Sequence, residues 1–136
     1  MTTHISSAMR QKVYDRANGK CEYCLLPQSV TAHPHEPDHI VPVQHGGETI
    51  VENLALACMR CNRHKGPNIG SYDPVDGQLV AFFNPRTQIW REHFTLEGGQ
   101  IIPLTAEGRV TVKILQLNDA RRVMERETLI EIGLYP

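Results

Sequence analysis

Cys58-Met59-Arg60-Cys61-Asn62, read together with the earlier Cys21-Glu22-Tyr23-Cys24, decides how this chain is built. The chain has 136 residues and no other cysteine. Two C-x-x-C pairs supply four thiolates, the tetrahedral donor set of a structural zinc ion. The pairs lie further apart than in short zinc-finger spacings, so each knuckle must come from a different element of a larger loop. Turn formers flank both, with Asn18-Gly19 ahead of the first and Gly66-Pro67 behind the second. Three rivals are two disulfides, a redox C-x-x-C and buried free thiols. A secreted disulfide scaffold is expected to carry an apolar leader, and Met1-Thr2-Thr3-His4 has no such character. A redox motif belongs on a βαβ pattern, which is absent, and a second pair is one too many.

Between the pairs stand Asp38-His39-Ile40-Val41-Pro42, then Gly46-Gly47, then Glu52-Asn53-Leu54. Adjacent residues on an extended segment point to opposite faces, so Asp38 and His39 serve different parts of a site. A carboxylate oxygen suits a hard divalent cation. A neutral imidazole can take a proton from water near physiological pH. An isolated Asp-His pair would read as an exposed polar loop, but this one is bracketed by the cysteines.

The run from Cys21 to Gly66, with Asp38-His39-Ile40-Val41-Pro42, Gly46-Gly47-Glu48-Thr49, Glu52-Asn53-Leu54-Ala55-Leu56-Ala57 and Cys58-Met59-Arg60-Cys61-Asn62-Arg63-His64-Lys65, resembles the HNH endonuclease family, and within it the zinc-stabilised bacterial branch. The resemblance covers roughly residues 18 to 68. It implies an α+β fold: a ββα-metal, treble-clef-like core, in which a two-stranded hairpin leads into a helix. Asp38 resembles the acidic metal ligand at the end of the first strand. His39 matches the general base, and Asn53 the residue whose amide braces the hairpin loop. Asn62 falls where the third motif letter lies and would be the second metal ligand, which makes this an H-N-N variant. His64 lies two residues on, about 200° away around a helix, and is read as a phosphate-contacting or surface histidine.

The resemblance implies hydrolysis of phosphodiester bonds in nucleic acid, with DNA as the expected substrate and 5′-phosphate and 3′-hydroxyl products. Asp38 and Asn62 supply only two protein oxygens, which suits magnesium or manganese, ions that keep waters. The zinc on Cys21, Cys24, Cys58 and Cys61 would be separate and structural. The net charge of −1 excludes a uniformly basic binder. Arg60, Arg63, His64 and Lys65 nevertheless cluster beside the site, and are read as nucleic-acid contacts at the start of the helix after the second knuckle. The alternative function is a zinc-knuckle module that grips nucleic acid without cutting it. Such a binder needs the cysteines but not the set Asp38, His39, Asn53 and Asn62.

Residues 1–68 read as the nuclease core and 69–136 as a C-terminal extension, in which strands and a final helix packed into the same compact domain are expected. Residues 6 to 17 predict a helix capped by Ser6 or Ser7, with Met9, Val13 and Ala17 on one face and Asn18-Gly19 as its stop. His33 and His35 read as exposed loop histidines. Asp73 to Gly77 is a turn signal, Leu79 to Phe83 a strand, and Ile89–Leu96 pairs with Gln100–Leu104 across Gly98-Gly99. Val110 to Leu115 fits a strand or the start of a helix. Asn118 or Asp119 caps a last helix ended by Gly133. Phe83 to Arg86, Trp90, His93-Phe94 and Gly108 to Val112 resemble an extension of a bacterial HNH subfamily. Arg86, Arg91 and His93 are candidates for nucleic-acid contact, with surface or structural roles the preferred reading. The chain has no transmembrane run, repeat or low-complexity tract, and reduced thiols around zinc suit the cytoplasm.

Overall fold

The computed structural model describes residues 4–136, so the Met1-Thr2-Thr3 part of the leader expectation lies outside the described residues. Helix α1 spans Ser7–Arg16, and Ser6 Oγ accepts the backbone N–H of Met9, satisfying a donor the helix itself cannot. Val13 is fully buried with Leu54 and Leu56, and Met9 and Ala17 pack beside them, so the expected face is the packed one. Asn18 and Gly19 stop the helix at φ 53° and 68°, the left-handed region that these two residues tolerate.

The first knuckle follows, then a loop, then strand β1, Glu36–His39. It pairs antiparallel with β2, Leu54–Ala57, setting Asp38 opposite Ala55 and His39 opposite Leu54. All four residues of β2 are buried. Helix α2, Met59–Lys65, starts immediately after Cys58. The hairpin-then-helix order expected of the core is therefore present. Gly47, in the connection between the strands, sits where a Cβ would come within 1.7 Å of Val41 O. Only glycine lets the two arms of that connection approach so closely.

In the extension, β3 (Gly70–Tyr72) pairs with β4 (Leu79–Ala81), and β5 (Phe94–Glu97) with β6 (Gln100–Pro103). One expectation changes here, and one open alternative is settled. Residues 90–93 form a helical turn, α3 (Trp90–His93), before β5, and the Trp90 Nε1–H donates to Tyr23 O at 2.9 Å. The β-branched run at Val110 is helix α4, Ala106–Ile114. Thr105 caps α4 by accepting the Gly108 N–H. Thr111 Oγ1 donates to Glu107 O and accepts the Phe83 N–H, so the run is satisfied as a helix. Helix α5 covers Ala120–Glu131; Asp119 occupies its N-cap without a side-chain capping bond, and Gly133 at φ 75° follows its end.

The main core joins both halves of the chain. Cys21, Tyr23, Ala55 and Cys58 pack in one cluster with Phe82, Phe83, Phe94, Ile101, Val110 and Leu115. Among the described residues no helix is long and apolar enough to cross a membrane.

Candidate active site

The four cysteines converge. Cys21 and Cys24 come from the tight turn after α1, Cys58 is the N-cap of α2 and Cys61 lies in its first turn. All four are buried and free, and their sulfurs lie within 4.8 Å of one another. Tetrahedral zinc–thiolate geometry at ~2.3 Å per bond spaces sulfurs about 3.8 Å apart; Cys24 and Cys58 Sγ stand 3.7 Å apart. The donor set therefore fits a structural zinc ion. Backbone N–H groups of Cys24 and Cys61 point at Cys21 and Cys58 Sγ, at 3.5 and 3.4 Å.

At the other end of β2 stands Asn53, whose side chain clamps the connection between the strands. Its Oδ1 accepts the Val41 N–H at 2.9 Å, and its Nδ2 donates to Val41 O at 3.0 Å and Glu48 O at 2.8 Å. The amide thus fixes the backbone two residues after His39. His39 Nε2 shares a hydrogen bond with Thr49 Oγ1 at 2.9 Å, which holds the imidazole against the same connection. Thr49 stood in the quoted motif without a role.

Lys65 ties Asp38 and His39 together. It is 1 % exposed, and its Nζ donates to His39 O at 2.9 Å and lies 3.2 Å from Asp38 Oδ2. Asp38 Oδ2 is buried and accepts no hydrogen bond, and the Tyr23 hydroxyl is likewise buried without a partner. Burial raises the Asp38 carboxyl above its ordinary value despite the opposing Lys65 charge. Burial, then the Asp38 carboxylate, pushes the Tyr23 phenol well up and keeps it protonated. A half-buried carboxylate is the oxygen donor type that a hard cation takes, and here Lys65 already supplies one positive partner. Asn62 lies one turn before Lys65, on the face of α2 that Lys65 turns towards β1.

The four basic residues do not form one surface. Lys65 faces inward, so its ammonium is held by Asp38 and His39 and does not present to solvent. Arg63, His64 and Lys65 fall in the last turn of α2, not at its start, where positive charge complements the helix dipole. Arg60 pairs with Glu125 of α5 through two hydrogen bonds, at 2.9 and 3.0 Å. Arg63 is exposed and His64 half-buried.

Other residues differ from expectation or went unread. His35 is buried, its Nε2 2.7 Å from Leu26 O, whereas His33 is exposed. Arg86 pairs with Glu22, whose other oxygen accepts the Leu56 N–H at 2.8 Å; His93 bonds Thr105 Oγ1 at 2.7 Å, and both residues are structural. Arg122, in α5, donates to Cys61 Sγ at 3.0 Å. No spacing in the sequence links it to the cysteines.

Residues 21–68 match the family model described as HNH endonuclease. The match spans the cysteine cage, the hairpin and the following helix, and is consistent with an HNH endonuclease domain over those residues. No curated protein and no solved structure matches the chain.

Proposed function

We propose that this protein is a metal-dependent endonuclease that hydrolyses phosphodiester bonds in DNA, with His39 as general base and Asp38 and Asn62 as ligands of one magnesium or manganese ion. The observation that carries the reading is the shared anchoring of the Asp38-His39 dipeptide, by Lys65 on the Asp38 carboxylate and His39 carbonyl, and by Asn53 on the connection that follows. A nucleic-acid binder would need the cage but no such clamp.

His39, oriented by Thr49, takes a proton from the attacking water. Asp38 and Asn62 would hold the divalent ion, which when bound would supply Lewis-acid stabilisation of phosphate charge and of the leaving oxygen. Lys65 keeps the carboxylate oriented from the buried side and is a positioning residue. Arg63 and His64 remain the candidate phosphate contacts of α2, because Arg60 is engaged with Glu125 and Lys65 is buried. Zinc on the four cysteines is structural. Reduced thiols of this kind suit a cytoplasmic protein.

The test is nicking of supercoiled plasmid DNA in magnesium or manganese. The native protein is expected to nick, and His39→Ala to lose about 10²–10⁴-fold in rate while keeping its circular dichroism spectrum and zinc content. Equal cutting by His39→Ala would remove His39 as base. A native protein that binds but never cuts single-stranded, duplex or branched DNA would make it the binding module.

A further inference from the structure

Arg122 lies 61 residues beyond Cys61 in the chain, in the first turn of α5, yet its guanidinium reaches into the cysteine cage. Its Nη2 donates to Cys61 Sγ at 3.0 Å and stands 3.9 Å from Cys58 Sγ. The other arm is fixed from behind: Nη1 donates to Leu115 O at 2.8 Å and Gln116 O at 3.2 Å. Only 4 % of the residue is exposed. A guanidinium keeps its charge at any ordinary pH, and a buried charge is costly unless an anion answers it. Among the described residues no carboxylate pairs with Arg122; ion pairs form at Arg10, Arg60, Lys65, Arg86 and Arg109 instead. The sulfurs are the anions within reach. Four thiolates around a dication carry a net charge of −2, itself expensive in a buried cluster. Each charge answers the other.

We propose that Arg122 is a positioning residue of the cysteine cage, its guanidinium offsetting the charge of zinc-bound thiolates and thereby setting how tightly the cage retains its ion. The inference rests on the reading of the cage as a zinc site. It also makes α5 part of the metal centre, since the helix delivers a charged donor to two sulfurs from the second knuckle. Groups of this kind, which touch ligands and not the metal, typically change metal affinity 10–100-fold when removed.

Arg126 provides the control. It sits one turn later on α5, is 2 % exposed, and donates to oxygens: Gly99 O at 2.7 Å, Leu117 O at 2.6 Å and Asn118 Oδ1 at 3.3 Å. It shares the burial and the charge of Arg122 without the contact to sulfur.

The experiment measures the zinc content of the full-length native protein and then its zinc affinity by competition with a coloured chelator, for native, Arg122→Met, Arg122→Lys and Arg126→Met. One zinc per native chain is expected. Arg122→Met is expected to bind zinc 10–100-fold more weakly, Arg122→Lys to fall between it and the native protein because it restores the charge without the fork, and Arg126→Met to stay close to native. A native chain that takes up no zinc would overturn the cage reading and this proposal with it. Zinc in the native chain but equal weakening in Arg122→Met and Arg126→Met would overturn the proposal alone, leaving Arg122 a fold-holding residue. Should Arg122→Met fail to fold, Arg122→Lys against Arg126→Lys decides: weaker zinc in the first only supports the role, and equal affinities overturn it.

Discussion

The cysteine cage and the Asp38-His39 site flank the same buried strand, β2, and are built by different rules. In the cage every sulfur is buried, two receive backbone N–H groups and one receives a guanidinium arm at 3.0 Å. At the dipeptide, a carboxylate oxygen and a tyrosine hydroxyl are buried without hydrogen-bond partners, and a single lysine supplies the nearby positive charge. Buried polar atoms are nearly always satisfied, so the unpartnered Tyr23 hydroxyl stands out beside a carboxylate whose one charged partner is Lys65. The cage gathers four sulfur donors around one point, whereas the Asp38 carboxylate has Lys65 as its one charged partner. The two lie within one short hairpin-and-helix, which lets the rigidity of the first position the second.

That contrast can be broken most directly at the cage. Cys58→Ser is expected to abolish cooperative thermal unfolding followed by circular dichroism, because in such sites the free energy of metal binding is free energy of folding. A zinc-free Cys58→Ser protein that still unfolds cooperatively would show that the cage does not hold the fold. At the Asp38-His39 dipeptide, Lys65→Met leaves the Asp38 carboxylate buried without its partner, a loss of about 3–5 kcal/mol in chemical denaturation. Magnesium at millimolar concentration should restore part of that loss, and stabilise the variant more than the native protein; no difference would argue against a cation at Asp38.

The extension offers smaller effects. Asp73 is 1 % exposed and accepts two hydrogen bonds from Arg109, at 2.8 and 2.7 Å, which hold its carboxyl at about 2 against an ordinary value of 3.8. A depressed carboxyl stabilises the fold above its ordinary value, and that contribution fades as pH falls through the folded value. The melting temperature of Asp73→Asn should therefore lie below native at neutral pH, and the gap should close as pH falls from 3.8 towards about 2. A gap independent of pH would assign the loss to packing. Smallest is Arg60→Ala: its pair with Glu125 is 39 % and 44 % exposed, so the loss should stay under about 1 kcal/mol by denaturant titration. A larger loss would make this surface bridge a true fastener of α5.

Legibility follows the range of the interactions. Ser6, Val13 and Asn18-Gly19 announce α1 because capping, face and stop are all local. The cysteine cluster and the Asn53 clamp were readable because ligand type and motif spacing carry their chemistry. Val110 to Leu115 was ambiguous because its β-branched residues favour a strand locally, and Thr105, Thr111 and Phe83 settle it as a helix through contacts outside the run. Lys65 looked like a surface cation because it stands in a basic run; only the packing of α2 on β1 turns it inward.

The order and spacing of four cysteines, an aspartate, a histidine and two asparagines are written along the chain, and through the resemblance they carry they were enough to anticipate the cysteine cluster and the hairpin-and-helix core, since donor type and motif order survive without coordinates. Which charges lie inside was decided by the tertiary structure alone. Lys65 reaches the His39 carbonyl across 26 residues of chain and pairs with the neighbouring Asp38, and Arg122 reaches the Cys61 sulfur across 61, because a charge removed from water must find its counterpart wherever folding brings one.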